Sequence, residues 1–132
     1  MKNLTDKGFT LIEMLISVSL VLILSSIGIP IYNGYINDSK IDLAKSNLSS
    51  IYLAEINYFY ENYQYYITGT TCGDHTELLI NDLFMGEAVI NKELFKYCVI
   101  KNNDGFLAKA IGNNKEIITI DHMNNLQIIR KG

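Results

Sequence analysis

From Met14 to Asn37 the chain carries no Asp, Glu, Lys or Arg, and the first charges on either side are Glu13 and Asp38. Wound as a helix at about 1.5 Å per residue, such a run crosses a hydrocarbon core of about 30 Å. Ahead of it lies a short polar head, Met1 to Gly8, with Lys2 and Lys7. A secretory signal would place a small-residue cleavage site after its apolar middle. Ser25, Ser26 and Gly28 are small but lack that spacing, and the run exceeds a usual signal core. Pro30 removes a backbone donor and crowds the preceding turn, which predicts a kink or frayed turn between Ser26 and Pro30.

Helical periodicity continues beyond the run. Leu48, Tyr52, Ile56, Phe59 and Tyr63 recur at steps of four, four, three and four, widened by Ile41, Ala44 and Ile51. Asp38, Lys40, Asp42, Lys45, Asn47, Glu55 and Glu61 fall mostly off that stripe. The pattern predicts one amphipathic helix to about Tyr63. Joined to the apolar run it makes a helix of about 50 residues, or roughly 75 Å. Its first half is apolar all round and needs lipid or copies of itself as a neighbour.

Past Ile67 a loop rich in Thr and Gly leads to Thr76, a candidate cap for a short helix over Glu77 to Phe84 that Gly86 ends. Strand patterns follow at Tyr97–Ile100, Phe106–Ile111, Ile117–Ile120 and Leu126–Arg130. The turns between them are Asn102–Gly105, where the glycine is expected to supply a positive φ, Gly112–Lys115 and His122–Asn125. Sequential hairpins imply an antiparallel meander, and the helix stripe is the available cover for one of its faces. The fold class is therefore α+β, a long N-terminal helix on a small antiparallel sheet. Its segments are residues 1–8, 9–35, 36–66, 67–95 and 96–132.

The net charge is −3, and Arg130 is the one arginine. Broad nucleic-acid binding needs clustered cations, so this balance argues against it. Lys101, Lys109, Lys115, Arg130 and Lys131 are the basic residues that a local DNA contact would use. The tyrosines Tyr52, Tyr58, Tyr60, Tyr63, Tyr65 and Tyr66 sit among Glu55, Glu61, Asn57 and Gln64. They read as amphipathic aromatics closing a helix–sheet core, not as a stacking platform for bases. Cys72-x-x-His75, Cys98 and His122 have ligand-like elements for zinc. Asp121, Asn124 and Asn125 are sparse oxygen donors for calcium. No nucleophile–base motif, phosphate loop or paired-acid pattern stands out, so an enzyme reading has almost no support, and no cofactor or metal is called for.

The stretch Gly8-Phe9-Thr10-Leu11-Ile12-Glu13 resembles the type IV prepilin signature. The resemblance continues through Ile29-Pro30-Ile31-Tyr32-Asn33-Gly34-Tyr35 and covers roughly the first 40 residues; beyond that only the order of elements matches. It implies that residues 1–8 are a leader, cut between Gly8 and Phe9 by a membrane-embedded prepilin peptidase that also methylates the new amine of Phe9. Loss of Lys2, Asp6 and Lys7 would leave the processed chain one charge more negative. A carboxylate inside an apolar region costs roughly 2.5–3.5 kcal/mol on insertion scales. The resemblance gives Glu13 a reason to be there: pairing with the Phe9 amine of a neighbouring subunit. The plainer alternative is a glutamate snorkelling to the headgroups from a helix end. Gly28 and Pro30 would let the helix lose hydrogen bonds locally during packing, so Phe9, Glu13, Gly28 and Pro30 are the expected assembly residues.

The same resemblance implies an inner-membrane precursor that polymerises with itself or other pilins on an inner-membrane assembly platform, then a surface pilus. Outside the cytoplasm, Cys72 and Cys98 are expected to form a disulfide, as is common in pilin globular domains. Two further readings stay open here: a periplasm-spanning pseudopilin of a type II secretion system, and a DNA-binding competence pilin.

Overall fold

The computed structural model describes residues 8–130. The leader apart from Gly8, and Lys131 of the basic end, lie outside the described residues. The chain opens into α1, Leu11–Asn62, followed by α2, Thr76–Leu78, five residues of wider π winding, Leu79–Leu83, and four strands: β1 Phe95–Asn102, β2 Gly105–Gly112, β3 Glu116–Asp121 and β4 Leu126–Arg130. Contacts divide the chain into two compact units on either side of the Asp38–Ser39 bond.

In the first unit α1 is unbroken through Pro30. The kink or frayed turn expected between Ser26 and Pro30 does not interrupt the helix; the proline costs only its own donor, the one that would reach the Ser26 carbonyl. Every large apolar side chain from Leu11 to Ile31 is exposed. By length and composition this helix can cross a membrane.

The second unit is the meander, with strand order β1-β2-β3-β4 and antiparallel pairing throughout. Tyr97, Val99, Phe106, Ala108, Ala110, Ile118 and Ile120 are buried on one face. Against them α1 buries Ile41, Ala44, Asn47, Leu48, Ile51 and Glu55. Ala108 and Ala110 are the small residues in the middle of that face. Asn47 Nδ2 donates to the Tyr97 hydroxyl at 2.8 Å, satisfying two polar groups inside the core. Phe106 is flanked by Tyr65 and Tyr52, with ring centroids 5.0 and 6.1 Å away. By contrast, Tyr60 and Tyr63 are exposed.

The turns depart from expectation in one respect. The positive φ of the β1–β2 turn belongs to Asn103, at 47°, and not to Gly105. Gly105 is the first residue of β2, and its missing side chain makes room for the ring of His122. Lys115 and Asn124 carry the positive φ of the other two turns. Asn tolerates this conformation because its short polar side chain bonds locally.

Thr76 does not cap the short helix; no side chain does, and His75 occupies the cap position. Its hydroxyl is engaged elsewhere, accepting the Tyr97 N–H at 3.0 Å and donating to Asp74 Oδ1 at 2.9 Å.

Candidate functional site

The N-terminal junction is built from four residues. Gly8, Phe9 and Thr10 precede the helix, and Glu13 lies in its first turn. Among the described residues a side chain at Gly8 would meet nothing within 4 Å, so nothing in them crowds the Gly8–Phe9 junction on that side. Phe9 is 79% exposed. Glu13 turns back on the helix start: its Oε2 accepts the Thr10 N–H at 2.8 Å and the Thr10 hydroxyl at 2.9 Å. In return Thr10 Oγ1 accepts the Glu13 N–H at 3.3 Å. This reciprocal arrangement is a capping box, and Thr10-x-x-Glu13 is its sequence sign. Sequence reasoning weighed Glu13 as an assembly residue against headgroup snorkelling and passed over this sign.

The serine side chains of the apolar stretch are satisfied within the helix. Ser17, Ser19 and Ser25 donate to carbonyls four residues back, at Glu13, Leu15 and Val21, and Ser26 donates to Ile23. Glu13 is therefore the side chain in this stretch with charge to offer a partner. Gly28 has open space around its Cα, so a neighbouring helix could approach its backbone closely.

A second cluster fastens the connector between α1 and β1 along the free edge of β1. Thr68 N–H donates to the Val99 carbonyl at 2.9 Å, and the Val99 N–H donates to Thr68 Oγ1 at 3.0 Å. The same hydroxyl donates to the Val99 carbonyl at 2.9 Å. Its remaining lone pair then accepts from His75 Nδ1, 2.9 Å away, which fixes the ring as the Nδ1–H tautomer. Two residues along, His75 N–H donates to the Tyr97 carbonyl at 3.1 Å. The outward-facing edge groups of Tyr97 and Val99 are thus all paired, which blunts an edge that would otherwise template another strand. Cys98, on the opposite face from Tyr97 and Val99, is joined by a disulfide to Cys72 of the connector, with Cα atoms 5.5 Å apart. That separation suits a disulfide. Both thiols are consumed in it, which removes Cys72 and Cys98 as zinc ligands in the folded chain.

Asp121 is likewise committed. Its Oδ1 accepts the N–H groups of Met123 and Asn125, both at 2.9 Å, and its Oδ2 accepts Asn125 Nδ2 at 3.0 Å. These bonds hold its carboxyl below the ordinary range and close the β3–β4 turn. The sheet separates the basic residues. Lys101 stands beside the β1–β2 turn, whereas Lys115 and Arg130 lie at the opposite end, where Glu116 pairs with Arg130.

Sequence reasoning also set Glu55 on the polar side of α1. The structure buries it completely. The steps Ile41, Ala44, Leu48, Ile51, Glu55 run three, four, three, four, so the spacing alone could have placed it on the buried stripe. Its Oε2 accepts the Tyr66 N–H at 2.9 Å, and its Oε1 has no partner. Burial pushes the carboxyl up to about 8.

A family profile described as the prokaryotic N-terminal methylation motif matches residues 4–29. Over 63 residues, 48% of this chain, the sequence is 40% identical to the type IV major pilin protein PilA of Myxococcus xanthus (strain DK1622). The matched part is 29% of that protein's length. No solved structure matches. The motif and the pilin likeness agree with each other, and together with the long helix on a four-stranded antiparallel sheet they support the recognition of a type IV pilin.

Proposed function

We propose that this type IV pilin-like chain is a structural subunit of a type IV pilus, made as a single-pass inner-membrane precursor and polymerised through its N-terminal helix. Its role is structural, not enzymatic. One observation carries the reading: a lone carboxyl, Glu13, stands at the head of a charge-free apolar helix, four residues after the Gly8–Phe9 junction. Cleavage there by a prepilin peptidase frees a cationic amine at Phe9, about one helical turn from the carboxylate. In a low-dielectric setting opposite charges attract strongly over short distances. Glu13 of one subunit paired with the Phe9 amine of the next fixes axial stagger as well as affinity. The exposed apolar surface from Leu11 to Ile31 then supplies the nonpolar contact between helices.

Gly28 and Pro30 serve the packing. Pro30 has already given up one hydrogen bond, and Gly28 resists local unwinding least among the residues around it. On an assembly platform in the inner membrane, subunits of this kind leave the bilayer and enter the filament, alone or with other pilins, and the disulfide-bearing unit faces outward.

N-terminal sequencing and mass measurement of the protein from sheared surface filaments test this reading. The expected chain begins at N-methylated Phe9. Filament subunits that still begin at Met1 would overturn it.

A further inference from the structure

Glu55 is a buried acid outside the assembly machinery, and its surroundings connect three segments. From α1 its Oε2 holds the backbone N–H of Tyr66, in the connector. The hydroxyl of Tyr66 in turn donates to Asp82, in the π-wound segment. Tyr58 packs its ring edge-on to Tyr66, centroids 5.6 Å apart. The titratable groups facing this cluster are therefore Tyr58 from α1, Tyr66 from the connector and Asp82 from the π-wound segment. None is a cation, and no salt bridge reaches Glu55 among the described residues.

That inventory decides which form of Glu55 the fold accepts. A carboxylate would leave a charged, unpartnered Oε1 in an apolar interior. An uncompensated buried charge is far more costly than an unpaired hydroxyl. The neutral acid keeps Oε2 as a carbonyl acceptor for Tyr66 and places its proton on Oε1. Ionisation is tolerable only if the side chain moves toward water. Such movement releases the Tyr66 N–H, because Glu55 is its partner.

We propose that Glu55 and the backbone N–H of Tyr66 form a proton-dependent latch: protonated Glu55 docks the start of the connector onto the end of α1, and loss of that proton undocks it. The opening is local. Thr68 remains clasped to Val99 and Cys72 bonded to Cys98, so the released stretch is confined to residues between the end of α1 and Thr68. Tyr63 and Gln64 are already exposed there, so the surface they present changes with proton concentration. This inference does not depend on the chain's assembling into a filament.

The test uses the full chain in detergent micelles, with the side-chain carboxyl carbons of glutamate labelled for NMR. The Glu55 carbon is expected to titrate well above the ordinary carboxylate range of about 4.3. The Tyr66 amide shift should follow the same midpoint, and its exchange protection should fall about tenfold or more across it. In Glu55→Gln the Tyr66 amide should lose that transition. Tyr66→Phe removes only the hydroxyl and should keep it. A Glu55 carbon that titrates in the ordinary range, or a Tyr66 amide that ignores the Glu55 midpoint, overturns the latch.

Discussion

Thr10 and Glu13 bond each other in both directions across the first turn of α1: the Thr10 N–H reaches Glu13 Oε2 at 2.8 Å, and the Glu13 N–H reaches Thr10 Oγ1 at 3.3 Å. Glu13 thus has a task inside its own chain, since it satisfies a donor that the helix start leaves orphaned. Any intermolecular task is added to this one, and the two make different demands. Capping needs an acceptor oxygen; pairing with an amine needs a negative charge.

Glu13→Gln separates those demands, because glutamine also completes a capping box. If charge pairing drives assembly, Glu13→Gln and Glu13→Ala should both remain in the membrane and both lose filament incorporation, by roughly tenfold or more. If capping is the whole of its role, Glu13→Gln should assemble like the native chain while Glu13→Ala does not. Immunoblots of sheared filament and membrane fractions read out both variants.

The Cys72–Cys98 bond links residues 26 apart in sequence. A loop of that size restricts the unfolded chain enough to contribute about 3 kcal/mol. A Cys72→Ser/Cys98→Ser variant should lose about that much in denaturant melts at unchanged pH. Intact mass before and after reduction checks the premise: the native chain should gain two hydrogens on reduction. The Thr68–Val99 clasp predicts where the loss stops. Amides of β2 and β3 should keep their relative order of protection in the double variant, while those of the connector past Gly69 lose theirs.

The elements of this fold were legible because their periods differ. A charge-free run, a stripe at steps of three and four, and hairpins separated by Asn- and Gly-rich turns each leave a distinct mark in the sequence. What escaped reading depended on tertiary partners. Thr76 resembles a helix cap, but the free edge of β1 lies within its reach and takes its hydroxyl. Gly105 resembles a turn glycine, but Asn103 adopts the left-handed conformation and Gly105 yields space to His122. Glu55 is polar by composition and buried by position, and its spacing was the better guide. At the N-terminus the junction residues Gly8, Phe9 and Glu13 stood out from sequence, whereas the capping sign Thr10-x-x-Glu13 was there to read and was overlooked.

The raised carboxyl of Glu55 makes stability depend on pH in a defined direction. The folded chain holds this proton up to about 8, whereas an ordinary glutamate releases it near 4.5. Between those values the folded state binds more protons than the unfolded state, so stability falls as pH rises through the window and levels off above it. The contribution of this one group is a few kcal/mol in total. Thermal melts of the full chain in detergent should show that decline, and Glu55→Gln should remove most of it, leaving the variant relatively more stable at the alkaline end. A Glu55→Gln chain whose stability declines as steeply as the native chain's would place the dependence on other groups.

Gly105 offers the sharpest steric test. A Cβ built there would lie 2.3 Å from both Cγ and Nδ1 of His122 and 2.8 Å from its Cβ. The His122 N–H donates to the Phe106 carbonyl at 3.2 Å, so the β3–β4 turn is tied to the start of β2 and has little freedom to retreat. Overpacking of this kind costs about 1–3 kcal/mol. Gly105→Ala should therefore destabilise the chain by that amount, although alanine in a strand is otherwise a mild change. Trimming the ring with His122→Ala removes the two shortest contacts and leaves the one at 2.8 Å, so the double variant should recover part of the loss and not all of it. The coupling measured in a double-mutant cycle should be favourable and well above the few tenths of a kcal/mol seen for independent sites. Additive effects would mean that the ring of His122 does not occupy the space Gly105 leaves.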